Sequence, residues 1–290
     1  MDSILVCPIC AESLQLHEQS QGYYCNNKHH IDKNAQGYWS FVTSPKFKGS
    51  SESRQQLRAK RFLKASGILS PLVKQVSSVF SDVAEGKDEV NHLNYQCNDG
   101  FYIRSLSTLS TLSTLSTLST LSTLSAQAED NVTHWGVSEA DNALFAASKD
   151  TTPANLLLTP FKKLPFKSDA IDIVTVFEAQ LKGKECLRVL KPDGALLLLV
   201  PGARHLWQLK QKIYQNLLEK PQQLNLPKDV EIINTTEIKF NADVSGEQAI
   251  TLLDMNNLSW RVNDELAHQI KQTSFEQLEF DYVLLHLKKR

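Results

Sequence analysis

The spacing of apolar positions separates a helical segment near the start of the chain from a region of strands further along. Within residues 50–80, apolar side chains recur close to every 3.6 residues, and the period is interrupted at Gly67 and Pro71. The recurring apolar residues are Leu57, Phe62, Leu63, Leu69, Leu72 and Val76. This pattern predicts helices with a break between them.

Apolar runs in the second half of the chain predict buried strands. The predicted strands lie at 169–177, 195–200 and 280–287. Helices are predicted at 183–190 and 205–219, and a Lys-Pro-Asp-Gly turn at 191–194. Buried strands that alternate with helices indicate an α/β fold with a doubly wound sheet. In such sheets ligands bind beyond the carboxyl ends of the strands.

Residues 107–124 form six consecutive Ser-Thr-Leu triplets, a pattern that suits neither regular element. A leucine at every third position drifts around a helix and alternates between the faces of a strand, so no clean apolar face results. We interpret the repeat as an expanded short DNA repeat that is tolerated in a loop or an extended helix. The alternative is an interaction segment.

The overall charge does not draw the chain to nucleic acid, because the 290 residues carry a formal net charge of -1. A local basic stretch at 46–64 is the best candidate for such contact. Its charged residues are Lys46, Lys48, Arg54, Arg58, Lys60, Arg61 and Lys64, opposed only by Glu52. RNA contact and a solvated helix face are both compatible with this stretch.

Targeting signals are not evident, since the first residues, MDSILVCPIC, lack a basic segment followed by an apolar stretch. The sequence also has no apolar run long enough to span a membrane. We therefore expect a cytoplasmic protein that does not span a membrane. Three of the five cysteines lie within the first 25 residues, which favours a metal site over a disulfide framework.

Two short chelating turns near the N-terminus offer four metal ligands. Cys7 and Cys10 form one pair, and Cys25 forms the second with His29 or the adjacent His30. Zinc prefers four tetrahedral nitrogen and sulfur ligands, and four protein ligands leave no open position, so the expected zinc is structural. The stretch 13–24 between the turns has space for a hairpin but few large apolar residues. Such a small piece could not fold on its own core.

Several short motifs follow one another in a fixed order along the chain. They are CPxC…CxxxH at 7–29, His30-Ile-Asp32, Gly37-Tyr38, Arg61-Phe-Leu63, Lys163-Leu-Pro-Phe166 with Asp169 and Asp172, Arg188-Val-Leu-Lys-Pro-Asp-Gly194, Pro201-Gly-Ala-Arg-His-Leu206 and Ser259-Trp-Arg261. In this order the motifs resemble the bacterial large-subunit (23S) ribosomal RNA guanine-N1-methyltransferases. The resemblance covers essentially the whole chain and favours His29 as the fourth zinc ligand.

The resemblance implies a Rossmann-like class I methyltransferase domain behind a small N-terminal zinc-binding module. The implied boundaries are 1–45 for the RNA-recognition module, 46–90 for a helical linker and 91–290 for the S-adenosylmethionine (SAM) domain, with the repeat inserted at 107–124. The implied reaction is SAM-dependent methyl transfer to N1 of a guanine in a hairpin of large-subunit RNA. A homodimer is implied as well.

The family resemblance also places the cofactor site. Residues 93–102 stand where the family has a glycine-rich turn, which lets the backbone approach the cofactor without a Cβ clash. In this alignment Asn94 replaces an acid, Gln96 and Asn98 replace glycines, and Gly100 is kept. After the repeat, Gly136 stands at the position of the acid that accepts the ribose hydroxyls.

Four residues match family positions near SAM. Gly100 and Phe101 occupy the turn, His205 lies in the Pro-Gly-Ala-Arg-His motif, and Leu69 replaces a tyrosine of the linker helix. Guanine N1 carries a proton, so its methylation needs a base or a polarised contact, and the sequence assigns neither. The alternative hypothesis is a catalytically inactive paralogue that binds RNA or the ribosome without SAM turnover.

Overall fold

The computed structural model describes residues 3–49, 52–108, 131–177, 181, 183–219 and 226–290. All but the first two residues of the Ser-Thr-Leu repeat, 107 and 108, lie outside these ranges. The interpretation of the repeat therefore stays a prediction. Across the described ranges, none of the helices is both long and apolar enough to cross a bilayer.

Two sheets organise the chain. The small sheet holds β1 (Gln15–His17), β2 (Gly22–Tyr24) and β3 (His30–Ile31). The large sheet holds β4 (Trp39–Ser40), β5 (Val90–Tyr95), β6 (Val132–Ser138), β7 (Asn155–Leu158), β8 (Ile171–Val176), β9 (Leu190–Pro201), β10 (Val230–Val244) and β11 (Phe275–Lys289). Its order is β10-β11-β9-β8-β5-β6-β7-β4, parallel from β9 to β4, with β11 antiparallel to both β9 and β10.

The described helices connect and cover these strands. They are α1 (Arg54–Ala65), α2 (Ser70–Ala84), α3 (helical over the described residues 101–108), α4 (Asp141–Lys149), α5 (Glu185–Val189), α6 (Trp207–Ile213), α7 (Gly246–Met255), a 3₁₀ turn (Ser259–Arg261) and α8 (Asp264–Lys271). The alternation of strands and helices confirms the predicted α/β class.

The predicted break in the first helical segment lies between α1 and α2. Ser53 and Gln56 form a reciprocal capping box at the start of α1. The break itself includes Gly67, whose φ of +83° lies in the left-handed region that glycine adopts without strain. Pro71 lies in the first turn of α2, where its missing N–H costs nothing, so it starts a helix and does not interrupt one.

The strand β9 shows how the large sheet is buried on both faces. Leu196 and Leu198 pack into one hydrophobic cluster, whereas Leu197 and Leu199 pack into a second cluster. Successive side chains of a strand point to opposite faces, so an almost purely aliphatic run is what a doubly covered strand requires. The second cluster includes Leu72 of α2, which buries that helix against the sheet.

Two sequence-based boundaries were wrong. The turn predicted at 191–194 lies inside β9 as an irregularity, because Ile171 pairs with Leu190 while Ile173 pairs with Ala195. The helix predicted at 205–219 is confined to α6. It ends at Ile213, and beyond it Leu218 is exposed, so this segment has no core face that would extend the helix.

The N-terminal hairpin that the sequence predicted is present as β1 and β2, and its interior is shared with the large sheet. Leu5, Leu14 and Ile31 belong to the same buried cluster as Phe166. The Val6 N–H donates to the Pro165 carbonyl at 3.0 Å. The strand β4 then joins the edge of the large sheet beside β7. The small N-terminal piece thus obtains its apolar core from the larger body of the chain.

Candidate functional site

A cleft of about 350 Å³ opens at the carboxyl ends of β5 and β6. The strand β5 lies between β6 and β8, at the point where the chain changes direction across the sheet. Ligands of doubly wound sheets bind at this position. The walls come from α1, from the turns after β5, β6 and β7, and from the end of α7 with the residues that follow it. The cleft is therefore the candidate cofactor site.

The turn after β5 has left-handed backbone angles at three positions, of which only one is a glycine. Gln96, Asn98 and Gly100 have φ values of +58°, +50° and +75°. These are the three positions at which the family resemblance requires glycine. A left-handed residue with a side chain costs roughly 1–2 kcal/mol, and least for asparagine. Gln96 and Asn98 also line the cleft, so both side chains occupy its entrance or wall.

Gly100 and Phe101 follow the part of this turn that lines the cleft. A Cβ on Gly100 would lie 2.5 Å from the Thr152 hydroxyl oxygen, so this glycine is required by close packing as well as by its backbone angle. Phe101 begins α3, and the Lys64 ammonium lies 5.4 Å from the centre of its ring. Neither residue lines the cleft, and their predicted contact with the cofactor stays a prediction.

An ion pair between Lys64 and Asp99 lies at the base of the cleft. Lys64 Nζ is 3.3 Å from Asp99 Oδ1, and both side chains are almost completely buried. Arg104 lies behind the pair, and its Nη1 donates to the Asp99 backbone carbonyl at 2.6 Å. A buried pair of this kind resists the loss of either partner, because the other charge would remain unpaired.

Gly136, the predicted position of the ribose-binding acid, does not line the cleft, and its role stays a prediction. Gly136 lies within β6, opposite Asn94, and a Cβ there would meet Cys97 Sγ and Leu156 Cδ2 at 2.9 Å each. The strand ends two residues later at Ser138, and both Ser138 and Glu139 line the cleft. The apolar run of β6 ends at Val137, and the first polar residue after that run is the signal by which the sequence marks the end of the strand.

Glu139 presents an acid where β6 ends. Its Oε1 accepts the Phe161 N–H at 2.9 Å, which fixes the carboxylate against the turn after β7. The Ser138 hydroxyl accepts the Ala140 N–H at 3.0 Å and is buried. An oriented carboxylate at the end of the second strand of the parallel half is the group that accepts ribose hydroxyls in doubly wound folds.

His205 is buried and supports the cleft wall from behind. Its Nε2 lies 3.1 Å from Asn256 Oδ1, and the Asp281 N–H donates to Nδ1 at 3.4 Å. Burial, with a contribution from the Lys210 charge, lowers the pKa of His205 to about 3, so the ring is neutral. Asn256 lies between Met255 and Asn257, which both line the cleft. His205 thus connects α6 and β11 to that wall.

Leu69 is buried in the cluster that also holds Leu63 and Leu72. It occupies the N-cap position of α2 and does not line the cleft. It packs between α1 and α2, and α1 carries Lys64 to the Asp99 carboxylate. A direct contact between Leu69 and a cofactor stays a prediction, as it does for His205.

The four residues expected to bind zinc converge at the N-terminus. Their ligand atoms all lie within 4.8 Å of one another, and the four residues are Cys7, Cys10, Cys25 and His29. His29 Nδ1 is 3.4 Å from Cys25 Sγ and 3.6 Å from Cys7 Sγ. His30 lies on β3 with its ring stacked on Tyr24 at 6.3 Å, so the structure favours His29 over His30.

The thiols of this cluster differ in their tendency to ionise. A hydrogen bond from the Asn27 side chain is the main cause that lowers the pKa of Cys10 to about 6. Burial raises the pKa of Cys7 above its ordinary value. Thiolates are the form that binds zinc, and a bound cation would stabilise all three of them. Three sulfurs and one imidazole form a donor set that fits zinc.

Three of the seven basic residues in the predicted stretch are paired within the chain. Lys60 pairs with Glu52, and Lys64 pairs with Asp99. Arg61 donates to both carboxylate oxygens of Asp150, at 2.5 and 2.7 Å. The exposed remainder is Lys46, Lys48, Arg54 and Arg58. Sequence reasoning missed these pairings, because the acidic partners of Lys64 and Arg61 lie 35 and 89 positions further along the chain.

The strand order, with a cleft at the ends of β5 and β6, defines a class I methyltransferase fold, here preceded by a Cys₃His cluster. The chain is similar to a Bacillus subtilis (strain 168) protein named "Putative 23S rRNA (guanine-N(1)-)-methyltransferase YxjB". The two are 22% identical over 213 residues, which cover 73% of this chain and 69% of the relative. The resemblance that the motifs indicated is thereby confirmed. No protein-family model matches the chain.

Solved structures of low sequence similarity overlap with much of the chain. YcgJ of Bacillus subtilis is 16% identical, with 75% of this chain and 99% of that chain covered at a TM-score of 0.43. YjhP of E. coli is 12% identical, with 81% and 100% covered at a TM-score of 0.42. The order of the strands, rather than these superpositions, assigns the fold.

Proposed function

We propose that this protein is a SAM-dependent methyltransferase that modifies N1 of a guanine in large-subunit ribosomal RNA. The observation that carries the proposal is the cleft at the carboxyl ends of β5 and β6. It has a left-handed turn on one side and an oriented acid, Glu139, on the other. The name of the Bacillus subtilis relative supplies the RNA and the base.

Residues of the cleft fit the parts of SAM. The backbone of the turn 96–100 would face the amino-acid part, and Glu139 with Ser138 would face the ribose hydroxyls. Lys64 and Asp99 together present one cation and one anion near this turn. A zwitterionic amino acid requires that charge pattern. When bound, SAM supplies an electrophilic methyl group.

A carboxylate is available to take the proton from guanine N1. Four acidic residues line the cleft, namely Glu52, Asp99, Glu139 and Asp254. Glu52 pairs with Lys60, Asp99 pairs with Lys64, and Glu139 holds the Phe161 N–H. We assign proton transfer to Asp254, which lies near the end of α7 at the rim of the cleft.

The Cys₃His cluster is proposed to hold one structural zinc ion. With four protein ligands and no open position, the zinc contributes no chemistry to the methyl transfer. Its proposed role is to fix the turns at Cys7 and Cys25, and so the hairpin β1–β2, against the core around Leu5 and Phe166. The homodimer implied by the family stays a prediction.

Two measurements on the full chain test the proposal. Calorimetric titration with SAM should give saturable binding in the micromolar range. Incubation of labelled SAM with an unmodified large-subunit RNA transcript should place one methyl group on a guanine N1, as read by mass spectrometry of the nucleosides. Asp254→Asn should bind SAM like the parent and transfer the methyl group at least tenfold more slowly.

The alternative is an RNA-binding paralogue without turnover. One observation supports it, and that observation is the turn after β5. Gln96 and Asn98 place side chains where the family has glycine. If the folded parent produces no heat with millimolar SAM while it still binds the RNA, the enzyme proposal fails and the paralogue reading stands. A transfer to another base or position would overturn the guanine-N1 assignment alone.

A further inference from the structure

One aromatic side chain beside the cleft is largely exposed. Trp260 is 72% exposed and is the middle residue of the 3₁₀ turn that follows α7. The Arg261 guanidinium carbon lies 4.1 Å from the centre of the Trp260 ring and 5.3 Å from that of Tyr214. Tyr214, Arg261 and Trp260 therefore form a layered stack, and we call these three residues the rim stack.

The rim stack is held rigidly although its outer ring is exposed. Leu258 and Val262, which flank the turn, both pack against the hydrophobic cluster under α7. The turn closes with bonds from the Arg261 N–H to the Leu258 carbonyl at 3.0 Å and from the Val262 N–H to the Ser259 carbonyl at 3.0 Å. The exposure of Trp260 is thus fixed by its anchored neighbours, and a large apolar side chain held out in water requires a reason.

The position of the rim stack relates it to the cleft. Ser259, the residue before Trp260, lines the cleft together with Asn257. Residues of the turn after β5 line the same cleft. Trp260 directly follows a lining residue and is exposed, so its ring lies next to the edge of the cleft. The rim stack is thus placed to contact the substrate outside the cofactor-binding part of the cleft.

We propose that the rim stack is a platform on which an unpaired nucleobase of single-stranded RNA stacks. This inference rests on the proposed function for its choice of RNA. A flat indole with a cation against it offers a polarised face, and bases stack on such faces whatever their sequence. An enzyme that alters N1 of a guanine must take the base out of a pair, because N1 lies on the pairing edge.

Charge supports a nucleic acid over an apolar protein surface as the occupant. Among the described residues Arg261 forms no ion pair with a carboxylate, so its charge is available to a phosphate beside the stacked base. By contrast, Trp207 also has an arginine above its ring, but that arginine is engaged in an ion pair. Arg204 lies 4.6 Å from the Trp207 ring and pairs with Glu279 at 2.7 Å. Trp207 is therefore a matched control.

The test is binding of an end-labelled, unstructured single-stranded RNA of about twelve nucleotides, measured by fluorescence anisotropy without SAM. We expect Trp260→Ala to weaken binding on the order of tenfold, the usual loss when a stacking ring is removed. Trp260→Phe should keep most of the affinity, and Trp260→Leu should not, because leucine has no π face. Trp207→Phe should bind like the parent. RNA should also quench the indole emission of the parent and of Trp207→Phe, but not that of Trp260→Phe.

Two results would overturn the platform. One is parental affinity in folded Trp260→Ala, and the other is a Trp260→Leu variant that binds as tightly as Trp260→Phe, which would indicate a plain apolar contact. Failure of the proposed function looks different, because the RNA titration contains no SAM. If the protein never binds SAM but Trp260→Ala still weakens RNA binding, the platform stands and the proposed function fails. If the enzyme is active and Trp260→Ala keeps the parental KM for RNA, the proposed function stands and the platform fails.

Discussion

Lys64 of α1 and Asp99 of the turn after β5 form an ion pair inside the candidate cleft, with 3.3 Å between Nζ and Oδ1. Their side chains are only 4% and 3% exposed. The pair joins the helical segment to the turn that follows the central strand. It also explains why a lysine that belongs to a basic run in the sequence is not part of a basic surface in the fold.

The first prediction is that removing one of the two charges lowers the free energy of unfolding more than removing both together. Lys64→Met or Asp99→Asn alone should lower the free energy of unfolding by about 3–5 kcal/mol, because a buried charge stays unpaired. The double variant should lose clearly less than the sum, as measured by urea denaturation of all four proteins. Lys60→Met, which breaks the partly exposed pair with Glu52, should cost no more than about 1 kcal/mol. Additive losses at Lys64 and Asp99 would contradict this account.

The second prediction concerns the metal. Protein purified without chelator should contain one zinc per chain by elemental analysis, and Cys10→Ser should lose it. Cys186→Ala is the control, because Cys186 is buried beside the large sheet and outside the cluster, and it should keep its zinc. Since Leu5 and Leu14 share the core of the large sheet, Cys10→Ser should loosen the two turns rather than release the whole N-terminus. Limited proteolysis should then cut first near Cys7 and Cys25, and full metal content in Cys10→Ser would refute the ligand set.

The third prediction separates two positions on β6. Ser138→Asp adds a carboxylate at the edge of the cleft and should tighten SAM binding in calorimetry. Gly136→Asp should instead lower the free energy of unfolding by at least about 1–3 kcal/mol, because its side chain would collide with Cys97 and Leu156. Gln96→Gly relieves a left-handed φ and should increase stability by about 1 kcal/mol. A folded Gly136→Asp variant that binds SAM more tightly than Ser138→Asp would restore the original alignment.

The fourth prediction concerns RNA contact by the basic stretch. Arg54 and Arg58 are exposed on α1, whereas Arg61 is engaged by Asp150. The double change Arg54→Gln and Arg58→Gln should weaken binding to a ribosomal hairpin and reduce the slope of log affinity against log salt by up to about 2. Arg61→Gln should leave this slope unchanged and affect stability only. Equal slopes for the parent and the double variant would assign the stretch to a solvated helix face.

The fifth prediction is a loss of stability in mild acid. His92 Nδ1 and His134 Nδ1 are 2.7 Å apart, and His92 Nε2 is 2.8 Å from the Thr175 hydroxyl. Burial lowers the pKa of His134 to about 4 and holds that of His92 well below its ordinary value. Because the folded pKa values lie below the unfolded value near 6.5, the unfolded chain binds protons first as the pH falls.

The stability that these neutral rings contribute is thus complete above about pH 6.5 and is lost as the pH falls towards 4. His134 should cost about 1.5 kcal/mol of unfolding free energy between pH 6.5 and pH 5, and His92 should add to the loss in the same direction. Urea denaturation across this range measures the loss. His30→Gln alters an exposed ring and should leave the slope unchanged, whereas His134→Gln should reduce it by close to one proton. A flat stability profile from pH 7 to pH 5 would show that the network is not buried in solution.

The sequence alone determined the elements whose signals are local. The chelating turns at Cys7 and Cys25 follow from the short spacing of their ligands. The break between α1 and α2 follows from Gly67. The aliphatic strand β9 follows from an apolar run that is longer than an exposed strand would carry. The ordered motifs were sufficient to indicate the family, and with it the class of fold. Each turn, break or strand in this group depends on residues within about ten positions of one another, and the family depends on the order of short motifs along the chain.

Tertiary structure decided everything that depends on distant partners. The family alignment placed an acid at Gly136, whereas the strand pairing and the cleft lining put Ser138 and Glu139 at the end of β6. The basic stretch lost three charges to Glu52, Asp99 and Asp150, which no local pattern predicts. Likewise, Trp260 and Tyr214 are brought together by Arg261 across 46 positions of sequence. Charge pairing and stacking depend on distances in space, and the fold of the whole chain sets those distances.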